Sequence, residues 1–213
     1  MKADEILEQL MWRYPPLKIC KTEIIGAFKI IRKAFGTGKK LLIAGNGGSA
    51  ADSEHIAGEL MKSFKLRRRI SDNYAAQFEQ YYGKEGMALA EKLEGALPAI
   101  ALPSMSALMT AYMNDNDADA VYAQMVFGCG IEEDVFMAIS TSGNSTNIVN
   151  ACMAAKIKGM QVIGLTGNGG GKLKDLCNVA ICVPATETFE IQEYHLPVYH
   201  ALCAMLEVTF FQE

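Results

Sequence analysis

Only three histidines occur in the 213 residues: His55, His195 and His200. His55 and Glu59 lie four apart in a helical pattern, which puts both on one face, one turn apart. Gln192 and His200 are eight apart, a little over two turns, and look the same way if the helix survives Pro197. His195 falls between them. Imidazole, carboxylate and amide oxygen together suit a divalent ion such as Zn²⁺. Two readings stay open at this point, because an isolated His–Glu pair on a helix is more often a surface pair than a metal site.

Three loops carry further chemistry. Gly45-Asn46-Gly47-Gly48-Ser49-Ala50 follows one short apolar run, Ser140-Thr141-Ser142-Gly143-Asn144-Ser145-Thr146 follows another, and Thr166-Gly167-Asn168-Gly169-Gly170-Gly171 a third. The second loop is the most informative. Five of its seven residues bear a hydroxyl and none is charged. At a helix N-terminus it offers free N–H groups and several O–H donors, a phosphate cradle made without lysine. Capping the helix would need only one serine or threonine. Gly45-x-Gly47-x-x-Ala50 also fits the dinucleotide fingerprint, but the next strand begins only near Ala99, so the acidic residue about 20 positions on has no strand to end. A Walker loop ending at Gly171-Lys172 needs glycine at 166, where Thr166 stands, and Leu173 follows the lysine. Nicotinamide and Walker-type nucleotide sites are therefore not expected.

The elements that position these loops read as an alternation. Leu41–Ala44, Ala99–Leu102, Val135–Ile139, Gln161–Leu165 and Val179–Val183 are compact apolar runs of strand length, suited to strands buried on both faces of a parallel sheet. Helical patterns run over Ile24–Phe35, Asn147–Lys158 and 188–211, the last with a kink or break expected at Pro197. The result is an α/β chain: a three-layer α/β/α domain on a five-stranded parallel sheet, one domain across 1–213. The 65–96 segment, rich in Gln, Glu, Tyr and Lys, reads as a helical excursion made of Asp72–Tyr82 and Gly86–Glu94. Open parallel sheets bind ligands at the carboxyl ends of their strands, where all three loops fall.

Composition narrows the class. Net charge is -4, which suggests neither nucleic acid nor an anionic membrane as partner. The one basic cluster, Lys65 with Arg67, Arg68 and Arg69, reads as a solvated helix end or as a polar contact near a phosphate or a neighbouring subunit. The six cysteines form no C-x-x-C pair, no secretory pattern opens the chain, and no apolar stretch is long enough to span a membrane. A reduced, cytoplasmic protein is expected.

Taken together, Gly45-Asn-Gly-Gly-Ser-Ala-Ala-Asp-Ser-Glu-His55-Ile-Ala-Gly-Glu59-Leu60, Ile139-Ser-Thr-Ser-Gly-Asn-Ser145 and Ile191-Gln-Glu-Tyr-His-Leu-Pro-Val-Tyr-His200 resemble the sugar-isomerase (SIS) domain proteins. Within them the pattern is most similar to the phosphoheptose isomerase family, which converts sedoheptulose 7-phosphate to D-glycero-D-manno-heptose 7-phosphate. The resemblance covers nearly the whole chain. It implies a flavodoxin-like sheet and a homotetramer with active sites between subunits. It implies one Zn²⁺ per subunit on His55, Glu59, Gln192 and His200, phosphate held by Ser140, Thr141, Ser142 and Ser145, and sugar contacts from Asn46, Gly47, Gly48, Ser49, Glu59, Asn114, Asp115 and Gln192. It assigns Glu59 as general base and His200 as its acid/base partner, and it points to heptose and lipopolysaccharide biosynthesis. The alternative is a non-catalytic SIS protein that senses a phosphosugar or binds a replication initiator; retention of both Glu59 and His200 argues against it. The 65–96 segment departs from the family by its length, at a place where it can alter which sugar fits.

Overall fold

The computed structural model describes residues 2–211. Five strands form one all-parallel sheet: β1 (Leu41–Ala44), β2 (Ala99–Ala101), β3 (Val135–Ile139), β4 (Gln161–Thr166) and β5 (Val179–Cys182). Their spatial order is β2-β1-β3-β4-β5. Leu41 pairs with Val135 and Val135 with Gln161, so the central strands start in step. β1 and β3 match the expected bounds, and the other three shift by a residue or so at their C-terminal ends.

Helices cover both faces: α1 (Ala3–Arg13), α2 (Lys21–Gly36), α3 (Gly48–Met61), α4 (Asp72–Ala90), α5 (Ser106–Asp115), α6 (Val121–Cys129), α7 (Thr146–Ile157), α8 (Leu173–Leu176) and α9 (Thr188–Phe211). The two-residue period of a strand divides the core. Leu41, Ile43, Val135, Met137 and Ile139 point into a cluster with α1, α2, α3 and α9. Leu42, Ala44, Phe136 and Ala138 point the other way, against α6, α7 and α8. This is the expected three-layer α/β/α domain.

One expectation about the helices needs correction. α9 runs unbroken through Pro197. Proline forfeits one backbone hydrogen bond but its fixed φ is helical. Ile191, His195, Val198, Tyr199, Ala201 and Leu202, all buried on either side of it, hold the helix in line. The 65–96 excursion is helical in two stretches, as expected: within α4 (Asp72–Ala90) the backbone leaves the helical region at Gly83 (φ 57°, ψ −135°), and the second stretch ends at Ala90 rather than Glu94. A Cβ at Gly86 would fall on the Phe78 carbonyl, so the two halves of α4 meet closely just past the bend. Within α4 only Gly86 and Ala90 are buried, and α5 buries nothing.

Candidate active site

The order of the strands reverses direction between β1 and β3, and the crevice outside their carboxyl ends is where a ligand fits such a sheet. The loops after β1 and β3 flank that crevice. Asn46 and Asn147 tie them together by a reciprocal amide pair, both hydrogen bonds 2.9 Å long. The Tyr122 hydroxyl, from α6, donates to the Gly45 carbonyl at 2.9 Å and fixes the start of the first loop.

The hydroxyl loop is braced from below by the loop after β4. A Cβ at Gly143 (φ 66°) would fall on the Gly170 carbonyl. The Gly167 N–H donates to the Thr141 carbonyl at 3.0 Å, and the Leu173 N–H to the Gly143 carbonyl at 3.0 Å. The Asn144 carboxamide accepts from the Lys172 N–H at 3.1 Å and donates to the Ser142 carbonyl at 2.9 Å. Ser140 is buried with its hydroxyl 3.0 Å from that of Ser145, at the start of α7, while Ser142 stays exposed. The glycine loop after β4, which carries no Walker motif, thus serves as a backing for the hydroxyl loop.

α3 leaves the first loop and carries His55 and Glu59; α9 carries His200 back across its face. His55 Nε2 lies 3.2 Å from Glu59 Oε1 and 3.4 Å from His200 Nε2. Glu59 is mostly buried, and its Oε2 has no hydrogen-bond partner among the described residues. Burial and the neighbouring His55 hold His200 below the ordinary histidine range, opposed by Glu59.

Asp52 and Tyr199 sit behind this cluster and were not anticipated. The Tyr199 hydroxyl donates to Asp52 Oδ1 at 3.1 Å and lies 3.1 Å from His55 Nδ1. A phenol has one proton to give. With that proton on Asp52, Tyr199 can only accept from His55, which places the imidazole proton on Nδ1 and leaves the Nε2 lone pair facing Glu59 and His200. Burial raises Asp52 above the ordinary carboxylate range, and burial together with Asp52 raises Tyr199. Asp52 stands one helical turn before His55, and Tyr199 is the immediate neighbour of His200. Nothing in their types alone marks them out.

Gln192 reaches the same crevice from α9. Its amide nitrogen lies 2.5 Å from where a Gly48 Cβ would stand, so a side chain at 48 would push the end of Gln192 aside. Asn46, Gly47 and Gly48 are exposed, whereas Ser49 is buried. Asn114 and Asp115 end α5, exposed, and the Asn114 amide donates to Asp115 at 2.9 Å. No hydrogen bond links them to the loops after β1, β3 or β4. His195 is fully buried on α9, and neither ring nitrogen makes a hydrogen bond of good geometry. Burial pushes it down to about 4; the Thr166 backbone opposes this only in part. A cleft of about 700 Å³ between residues 67–70 and α4 contains none of these residues.

As they stand, no three His, Cys, Asp or Glu side chains among the described residues are gathered to hold a metal ion. The donor pairs nevertheless fit one. Neighbouring ligands of a tetrahedral ion with bonds of about 2.0 Å stand about 3.3 Å apart, close to both His55 spacings. The Glu59 carboxylate already has the Lys62 ammonium 3.7 Å from Oε2, and an Nδ1–H secured by outer partners is the usual state of a ligating histidine.

A parallel sheet in flavodoxin-like order, with a hydroxyl-rich helix start after its third strand, is the architecture of a SIS-type α/β fold. The SIS domain model matches residues 76–167. Phosphoheptose isomerases from Nitratiruptor sp. and Geobacter sulfurreducens are 40% and 34% identical to the chain, covering 81% and 98% of it and 78% and 98% of their own lengths. The structure of phosphoheptose isomerase GmhA from Neisseria gonorrhoeae superposes with a TM-score of 0.73 at 31% identity, with 96% of each chain covered. The chain belongs to the phosphoheptose isomerase family of phosphosugar isomerases.

Proposed function

We propose that the chain interconverts sedoheptulose 7-phosphate and D-glycero-D-manno-heptose 7-phosphate, in the cytoplasm, as a homotetramer with sites between subunits, in a route toward heptose-containing lipopolysaccharide. Two observations support the reading: the braced hydroxyl loop after β3, and the Glu59–His55–His200 cluster between α3 and α9.

Ser140, Thr141, Ser142 and Ser145, with the N–H groups opening α7, hold the phosphate. That remote anchor fixes the reacting end of the sugar. Asn46, Gly47, Gly48, Ser49 and Gln192 meet its hydroxyls, and Asn114 and Asp115 do so from a neighbouring subunit. Glu59 takes the proton from C1 of the ketose. The C–H electron pair forms the C1–C2 double bond, and the carbonyl pair moves to O2, which takes a proton from His200. In the return half, His200 takes the O1 proton, C1 becomes the aldehyde carbon, and Glu59 delivers its proton to C2. Glu59 Oε2, free of hydrogen bonds, is the oxygen available for this work, while Oε1 faces His55. Zn²⁺ held by His55, Glu59, Gln192 and His200 would supply polarisation of the substrate oxygens.

The test is incubation with sedoheptulose 7-phosphate, with and without chelator, followed by NMR. Aldose product is expected from the untreated enzyme, and reduced turnover after chelation. Glu59→Gln is expected to bind the phosphosugar but lose turnover by roughly 10²–10⁴-fold. Full activity in Glu59→Gln would sink the base assignment, and absence of product in the native chain would leave a non-catalytic phosphosugar-binding protein.

A further inference from the structure

The basic cluster at 65–69 divides sharply. Lys65, Arg67 and Arg69 are exposed, as a solvated segment requires, but Arg68 is buried to 1% exposure. Its Nε donates to Glu207 Oε1 at 2.8 Å, and neither side chain touches solvent. A buried ion pair contributes little net stability because desolvation offsets the attraction; its distinctive effect is to fix one arrangement of the parts it joins. The parts joined here are the two catalytic helices.

α3 ends at Met61, and the carbonyls of its last turn have no partners within the helix. Arg68 meets two of them. Its Nη2 donates to the Glu59 carbonyl at 2.8 Å and its Nη1 to the Leu60 carbonyl at 2.6 Å, and the Leu97 N–H also donates to the Leu60 carbonyl at 3.0 Å. Glu207 stands seven residues after His200 on α9, two turns on and close to the same face. Beyond Arg68, its carboxylate accepts from the N–H groups of Phe64 at 2.8 Å, Lys65 at 2.8 Å and Leu66 at 3.2 Å. Phe64, held in this way, lies tilted against the His200 ring with centroids 5.6 Å apart. One guanidinium therefore holds the backbone of Glu59, and one carboxylate holds the segment that seats His200.

We infer that the Arg68–Glu207 pair is a positioning device for the proton transfer, setting the placement of Glu59 against His200 across the crevice. It rests on the assignment of those two residues as base and acid/base partner. The phosphate cradle is built from other loops, so the pair should govern turnover and leave phosphosugar binding nearly untouched.

The experiment is the double variant Arg68→Met/Glu207→Leu, which removes both charges together so that neither is stranded in the core. Sedoheptulose 7-phosphate kinetics are measured well below the melting temperature, beside Glu59→Gln. The expected result is a folded protein whose kcat falls at least about ten-fold with KM within about two-fold, since misplacement of reacting groups by a fraction of an ångström is costly. Native kcat in the folded double variant, beside an inactive Glu59→Gln, overturns the positioning role and leaves the base assignment standing. An active Glu59→Gln overturns the base assignment and the positioning role with it. Should the double variant fail to fold, Arg68→Lys keeps the charge but loses the fork that spans the Glu59 and Leu60 carbonyls. It should show the same fall in kcat at constant KM, and native kcat there overturns the proposal.

Discussion

His55 is held on both sides. On one flank its Nδ1 meets the Tyr199 hydroxyl, itself bonded to Asp52; on the other its Nε2 faces Glu59 and His200. Tyr199→Phe keeps the ring packing and deletes the link. It also leaves Asp52, whose Oδ2 already has no partner, without its hydrogen-bond donor. Loss of such an outer partner typically costs roughly 10–100-fold in metal affinity or activity. Tyr199→Phe is therefore expected to weaken Zn²⁺ retention and kcat by that order with the fold intact, as read by metal titration and circular dichroism. His195 makes a separate prediction. It stays neutral in the folded chain down to about pH 4, while in the unfolded chain it takes up a proton near pH 6.5. Below pH 6.5 the unfolded state binds more protons, so stability drains away as pH falls through that window, by about 3 kcal/mol from this group at its end. His195→Leu should flatten the pH dependence of the urea midpoint between 6.5 and 4 relative to the native chain.

At the scale of elements, the hydroxyl loop works because a second loop stands under it. Gly143 has a positive φ, and a Cβ there would collide with the Gly170 backbone, which has no side chain to swing aside. Gly143→Ala should push the two loops apart and misplace the phosphate donors. The expected outcome is a KM for the phosphosugar raised by roughly 10- to 100-fold, measured by initial rates, with a smaller change in kcat. α9 contributes as a rigid bar. Gln192, His200 and Glu207 keep their relative places because the helix passes through Pro197 unbroken.

At the scale of the molecule, α5 buries none of its residues within the chain, yet it carries Asn114 and Asp115. Trp12, Ile19, Phe127 and Ile157 are also more than half exposed. The proposed assembly, with sites between subunits, would cover such faces. Mixing separately inactive Glu59→Gln and Asp115→Asn chains should then restore part of the activity, because some sites would pair an intact Glu59 with a partner's intact Asp115. Chains that stay inactive after exchange, with the mixed assembly verified by mass, would place Asp115 and Glu59 in the same subunit's site. No helix among the described residues is long and apolar enough to cross a membrane.

Much of this was readable from residue order. Continuous apolar runs bounded by glycine or hydroxyl residues are local patterns, and they gave the strands nearly to the residue. The i, i+4 spacing of His55 and Glu59 placed them on one face. Tertiary structure alone decided the rest. Arg68 looks like Arg67 and Arg69 in sequence, and only the approach of Glu207 from 139 residues away makes it a buried clamp. Asp52 and Tyr199 acquire a role only when α3 and α9 cross. Pro197 reads as a break until the core packed around it outweighs one lost hydrogen bond. Local patterns record which way a side chain must face; which distant group it meets is settled by packing, and the chemistry of this chain lies in those meetings.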